Sequence, residues 1–240
     1  MSDANLASDT AMVMAAGMGK RMRPLTASQP KPLVRVAGKP LIDHALDRLA
    51  EAGVARAVVN VHYLADALEA HVLDRPTPKV VISDERTELL ETGGGLIKAQ
   101  SHLPDPFFCL NADNIWLDGP RDAFHDLSRR WDADAMDALL LVVPHARARN
   151  FSGPGDFHMD AKGLLKRRNP GRIAPFIYTG IQLISHRLLR EAPQGKFSTN
   201  ILWNRAIEEG RLFGASFTGE WFEVGTPQAI KPTEDALKGG

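Results

Sequence analysis

The stretch Ala11-Met12-Val13-Met14-Ala15-Ala16-Gly17-Met18-Gly19-Lys20-Arg21-Met22 decides how the rest of the chain is read. The apolar run Ala11–Ala16 has the length and composition of a buried strand, and it stops at glycine. Gly17 and Gly19 then build a turn whose backbone amides can face phosphate oxygens without interference from side chains. Lys20, Arg21 and Arg23 add positive charge to it. This is not a Walker A loop, because no Gly-Lys-Ser/Thr closes it. Nor is it the dinucleotide fingerprint, because Met22 stands where the third glycine belongs.

Strand and helix signals alternate outward from this turn. Pro40–Ala52 reads as a helix, with proline at its start, Gly53 beyond its end, and Leu41, Ile42, Ala45, Leu46 and Leu49 at helical spacing. Ala57–Val61, Lys79–Ile82, Phe107–Leu110 and Ala138–Val143 read as strands, and Leu64–Val72 and Gly95–Leu103 as helices. After Pro144 the texture changes: Asn150–Pro175 is rich in Gly, Pro and Arg, with short strand-like pieces around Phe157 and Leu164. Phe176–Ile184 and Leu212–Phe217 then read as strands, and Thr199–Glu209 and Pro227–Leu237 as helices. The alternation predicts an α/β fold: a Rossmann-like, mixed but mostly parallel sheet with helices on both faces. The expected division is a flexible leader over residues 1–10, a nucleotide-binding half over 11–143, and a sugar-binding half over 144–240 that completes the same domain.

The 240 residues suit one such domain. Lys plus Arg number 29 and Asp plus Glu number 29, so no basic excess points to nucleic acid. No apolar run has the length of a membrane span, and the first residues lack the pattern of a secretory signal, so no membrane partner and a cytoplasmic location are expected. Cys109 is the one cysteine and sits in an apolar run, which predicts a buried thiol and no intrachain disulfide.

Three further segments carry candidate chemistry. Asp113 follows the strand Phe107–Leu110, and a carboxylate at the carboxyl end of a central strand suits a Mg²⁺ ligand beside nucleotide phosphates. Leu90-Glu91-Thr92-Gly93-Gly94-Gly95 precedes the predicted third helix; its glycines allow close approach of a base or ribose and bare the amides of a helix N-terminus. Asn60-Val61-His62 ends the second strand, where His62 either meets a base or caps the next helix.

The compound pattern Ala15-Ala16-Gly17-x-Gly19-x-Arg21-Met22, Arg23-Pro24-Leu25-Thr26 and Pro30-Lys31-Pro32-Leu33 resembles the opening of the sugar-1-phosphate nucleotidyltransferases (NDP-sugar pyrophosphorylases). The resemblance extends to the strand-end Asp113 and to Trp221-x-Glu223-x-Gly225-Thr226-Pro227. Leu90–Gly95 and Gly153-Pro154-Gly155-Asp156-Phe157 are most similar to the uridylyltransferases that act on N-acetylmuramate 1-phosphate. The resemblance implies the nucleotidyltransferase (GT-A-like) form of the fold. It implies catalytic Lys31 and Arg21, and nucleotide contacts from Ala15, Ala16, Gly17, Gly19, Lys20, Asn60, Glu91, Thr92, Gly93 and Gly94. It puts Asn111, Asp156 and Gly180 against the sugar, and Asp113 and Glu223 on Mg²⁺. Glu223 departs from the usual aspartate, so it reaches the metal directly or through water. For the cation that holds the sugar phosphate the nearest candidate is Lys166, followed by Arg167 and Arg168, and the choice among them, or a solvated basic turn, is open. The implied partners are UTP and N-acetylmuramate 1-phosphate, giving UDP-N-acetylmuramate in peptidoglycan recycling. A mannose-1-phosphate guanylyltransferase and a catalytically silent nucleotide-sugar-binding subunit are the alternatives.

Overall fold

In the computed structural model, which describes residues 5–239, the apolar run forms strand β1 (Thr10–Met14). A short hairpin of β2 (Arg35–Val36) and β3 (Lys39–Pro40) leads into α1 (Leu41–Glu51). There follow β4 (Arg56–Val61), α2 (Ala65–Leu73), β5 (Lys79–Asp84), α3 (Glu91–Ala99), β6 (Phe107–Asn111), β7 (Ile115–Leu117) and α4 (Ala123–Arg130). The second half holds β8 (Ala138–Pro144), β9 (Ala148–Arg149), β10 (Phe157–Met159), β11 (Leu165–Arg167) and β12 (Phe176–Ile184). It ends with α5 (Asn200–Glu208), β13 (Leu212–Ser216), β14 (Glu220–Phe222) and α6 (Ile230–Gly239).

Among the described residues, nine strands share one sheet. β5, β4, β1 and β6 run parallel in that order. β12 runs against β6 on one side and β8 on the other, and β13 returns parallel to β8. The β10–β11 hairpin attaches at the first residue of β12. Strands from both sides of Pro144 therefore hydrogen-bond within the same sheet.

Successive side chains of β1 alternate between two cores. Ala11 and Val13 pack with residues of α1, α2 and α4; Met12 packs with residues of α3 and α5. Leu41, Ile42, Leu46 and Leu49 of α1 are fully buried. Each such side chain contributes about 1.5–3 kcal/mol by leaving water. A third cluster joins Met22, Val34 and Val36 to Ile115, Phe222 and Val224, with Ile230 and Leu237 of α6 packed against it. It fastens the glycine turn and Lys31 to the segment that carries Glu223.

Two expectations are corrected. The leader expected over residues 1–10 is shorter: Thr10 opens β1, Leu6 and Ala7 pack on the core, and the Ala7 amide donates to Ser128 Oγ at 3.0 Å. Residues 1–4 of that leader lie outside the described residues. The third helix begins at Glu91, so the glycines predicted to precede it lie inside its first turns. Packing is the reason, as the site shows.

Candidate active site

β1, β4, β5 and β6 end at one edge of the sheet, and the parallel strands open there on either side of β1. β1 delivers Ala15, Ala16 and the glycine turn; β4 delivers Asn60; β5 leads to Glu85; β6 leads to Asn111 and Asp113.

Buried Asn60 holds the start of the turn. Its Oδ1 accepts from the Ala15 amide at 2.6 Å and the Ala16 amide at 3.3 Å. Its Nδ2 donates to Glu85 Oε1 at 2.7 Å, and Glu85 Oε2 accepts from the Leu90 amide at 3.2 Å. Glu85 is fully buried. The amides of Ala15 and Ala16 are thus engaged within the protein, and Asn60 acts as their support. Beyond them, the five amides from Gly17 to Arg21 donate to no protein acceptor among the described residues. Consecutive free N–H groups in a turn form an anion cradle.

Gly19 is left-handed, at φ +59°, and a Cβ there would stand 2.8 Å from Lys31 Cβ and 3.1 Å from Thr26 Cγ2. Only glycine lets the turn lie this close to the Lys31 segment. Lys31, held between Pro30 and Pro32, is 14% exposed and forms an ion pair with Asp113. Arg21 Nη1 lies 3.4 Å from Glu223 Oε1, and its guanidinium sits over Gly225, where a Cβ would meet Nη1 at 3.1 Å. Each expected metal carboxylate is therefore paired with one of the two expected catalytic cations.

Three cavities meet at this edge, and Asn111 borders all of them. The first, of about 390 Å³, is bordered by Ala15, Ala16, Gly17, Lys31, Glu91 and Asp113, and also by Asn60 and Thr92. The second, of about 200 Å³, is bordered by Arg21, Asp113 and Glu223. Asn114 Nδ2 and Trp221 Nε1 also belong to residues bordering it, and both are buried donors without an acceptor among the described residues. The third, of about 290 Å³, is bordered by Asp156, Tyr178 and Trp203. Lys20 is exposed and borders none of the three.

Asp113 and Glu223 border one cavity, and two carboxylates there would suit a hard divalent cation whose remaining positions are filled by phosphate oxygens and water. Among the described residues no three of His, Cys, Asp and Glu converge on a metal position.

Several of the expected contact residues also have partners within the protein. The Gly93 and Gly94 amides both donate to the Phe197 carbonyl, at 2.9 and 3.2 Å. A Cβ on Gly93 would lie 2.2 Å from the Phe197 ring, and one on Gly94 2.3 Å from the Gly195 carbonyl. These glycines exist to let α3 pack against the loop before α5. Glu91 and Thr92 do border the first cavity, and Glu91 holds φ +60°, a costly conformation for a side-chain-bearing residue. Gly180, at φ +84° in an irregular stretch of β12, makes room for other side chains; a Cβ there would stand 2.6 Å from Asn111 Nδ2 and 2.7 Å from Asn114 Nδ2. The glycine thus seats the asparagines, and Asn111 is what faces the cavity. Asp156 borders two cavities while its Oδ2 accepts from the Tyr178 amide at 2.9 Å. His62 bonds the Glu85 carbonyl at 2.7 Å.

Sequence reading missed Glu85 and Trp203, and it left Arg167 undistinguished from Lys166 and Arg168. Glu85 sits among charged neighbours, and nothing in its local pattern marks it as buried. Cys109 is buried as expected, and burial pushes its thiol up to about 12, so it stays protonated.

The glycine turn, Lys31 and the carboxylates Asp113 and Glu223 thus meet at one edge of the sheet, an arrangement suited to phosphate groups. The chain belongs to the Nucleotidyl transferase family, whose sequence model matches residues 10–153. It is 44% identical to an N-acetylmuramate alpha-1-phosphate uridylyltransferase of Caulobacter vibrioides over 95% of this chain and 96% of that one. It is 34% identical to the enzyme of the same name from Neisseria meningitidis serogroup B, over 95% and 98%. The fold is similar to that of the inositol-1-phosphate CTP transferase from T. maritima, with a TM-score of 0.78 at 18% identity over 97% of this chain and 96% of that one. This chain is a sugar-1-phosphate nucleotidyltransferase.

Proposed function

We propose that the chain joins UTP to N-acetylmuramate 1-phosphate, giving UDP-N-acetylmuramate and pyrophosphate. The observation that carries this reading is the glycine turn, whose amides from Gly17 to Arg21 meet no protein acceptor among the described residues, beside Lys31 and with Asn111 bordering both its cavity and a second, polar one. The 44% identity to a relative bearing that name supports the choice of base and sugar.

A phosphate oxygen of the sugar 1-phosphate attacks the α-phosphorus of UTP. The new P–O bond forms as the bond to the β-phosphate bridging oxygen breaks, and pyrophosphate leaves. No side chain needs to act as nucleophile; rate comes from alignment and charge neutralisation. The turn amides hold the triphosphate. Lys31, fixed before substrate arrives, neutralises charge growing at the α-phosphate. Arg21 serves the departing phosphates. Asp113 and Glu223 would hold Mg²⁺, which supplies further neutralisation of the triphosphate when bound. Asn111 and Asp156 orient the sugar. UTP is an intracellular substrate, which favours a cytoplasmic location and a role in reusing wall sugars.

Pyrophosphate release from a panel of nucleoside triphosphates and sugar 1-phosphates with Mg²⁺ tests the reading. The highest kcat/KM is expected with UTP and N-acetylmuramate 1-phosphate. Preference for GTP with mannose 1-phosphate would replace it by a guanylyltransferase. No turnover with any pair would make the chain a silent binding subunit.

A further inference from the structure

The three cations Lys166, Arg167 and Arg168 have different fates. Lys166 is exposed. Arg168 is spent on carbonyls of its own loop, at Gly155, Asn169 and Arg172. Arg167 alone borders the third cavity. Its guanidinium carbon lies 4.9 Å from the Phe157 ring centroid and 5.5 Å from that of Trp203. Its Nε donates to Asn204 Oδ1 at 2.9 Å, and its Nη2 to Asn200 Oδ1 at 2.8 Å. These partners are neutral. They lock the plane of the guanidinium and leave its charge unbalanced. Nη1 has no partner, and no carboxylate stands within ion-pair distance, among the described residues. Asp156, on the same cavity, acts on Arg167 from farther off, and burial works against its charge. An arginine held rigid by aromatic stacking and amide oxygens, with one face of its fork unused, is prepared for an anion.

Two anions could come from the sugar: its phosphate or an acidic ring substituent. The phosphate end is marked by Lys31, Asp113 and Arg21, and none of these borders the third cavity. Arg167 borders neither of the other two. Asn111 lies between the two ends. A ring whose phosphate sits near Asp113 therefore projects its substituents toward Arg167.

We infer that Arg167 is the specificity-determining residue that selects a sugar 1-phosphate carrying a carboxylate, through a charge-assisted hydrogen bond from its unused guanidinium edge. The inference rests on the reading of this chain as an N-acetylmuramate 1-phosphate uridylyltransferase, whose substrate bears a lactyl carboxylate on the ring. N-acetylglucosamine 1-phosphate is the same sugar without the lactyl ether. Selectivity follows because a carboxylate-free sugar leaves the half-buried guanidinium without its partner.

The test compares kcat/KM for the two sugars, with UTP and Mg²⁺, in the wild type and in Arg167→Gln. The wild type should prefer N-acetylmuramate 1-phosphate by at least ~30-fold, the scale of one charged hydrogen bond. Arg167→Gln should lose at least ~30-fold on that sugar, mainly through its KM, and change by less than ~3-fold on N-acetylglucosamine 1-phosphate. Equal losses on both sugars would assign Arg167 to the shared phosphate, and no loss on either would leave it no role; each overturns the inference. If thermal unfolding shows that Arg167→Gln does not fold, Arg167→Lys decides. It keeps the stem and the charge but not the fork, and an unchanged sugar preference there overturns the inference. A wild type that ignores N-acetylmuramate 1-phosphate fails at the first measurement, and that result overturns the substrate reading itself.

Discussion

Gly19 and Lys31 are twelve positions apart and almost touch. A methyl group on Gly19 would press on Lys31 Cβ and would have to sit in a left-handed conformation. Gly19→Ala should therefore cost about 1–2 kcal/mol in urea unfolding and also lower kcat by displacing Lys31. A variant with lost stability but wild-type kcat would mean that the turn does not position the lysine. Lys31→Ala should lower kcat at least ~100-fold, as expected when one preset transition-state donor is removed, with a smaller change in the KM for UTP. A near-wild-type kcat would take Lys31 out of the chemistry. Both residues were legible in the chain as a glycine turn and a lysine between prolines. Their mutual contact was not, because closeness across the Thr26 turn is a tertiary fact. Arg167 was illegible for another reason: three successive basic residues look alike, and only strand alternation and the Phe157–Trp203 wall separate them.

At the scale of elements, α3 carries the clearest lesson. Three glycines lower helix propensity by roughly 1 kcal/mol each relative to alanine, so local reading starts the helix at Gly95. Packing overrides that cost, because Gly93 and Gly94 lie against Phe197 and Gly195 and their amides are met by the Phe197 carbonyl. Gly93→Ala, favourable in an isolated helix, should instead destabilise the protein by about 1–3 kcal/mol in equilibrium urea unfolding, since the added methyl overlaps an aromatic ring. A stabilised Gly93→Ala would mean that the ring moves aside freely. The parallel strands and α1 were legible because long apolar runs and helical spacing are strong signals. The β10–β11 hairpin was only faintly so, because its strands are three residues long and set in polar sequence.

For the whole molecule, Asp118 ties stability to pH. Burial, then the nearby Asp122 charge, pushes its carboxyl up to about 6 from an ordinary 3.8. Its Oδ1 accepts from Trp116 Nε1 and from the Ala123 amide at the start of α4. The folded chain thus holds a proton that the unfolded chain has released between about pH 4 and 6. Stability from this group falls as pH rises through that window and is level above it. Asp118→Asn should be increasingly more stable than the wild type from pH 4 to pH 6, by up to ~2 kcal/mol, and keep a constant advantage beyond. Chemical unfolding of both proteins across pH 4–8 measures it, and a difference independent of pH would refute it.

The pairing of Lys31 with Asp113 and of Arg21 with Glu223 has one more consequence. The resting site is its own counterion shell. On the proposed reading, a triphosphate arriving with its cation would not meet bare charges; Asp113 and Glu223 would be the residues to hold the cation, and Lys31 and Arg21 would be left to face phosphate. A metal-bound triphosphate still carries negative charge, which Lys31 and Arg21, once released, would be free to meet, so the exchange would favour cation and triphosphate arriving together.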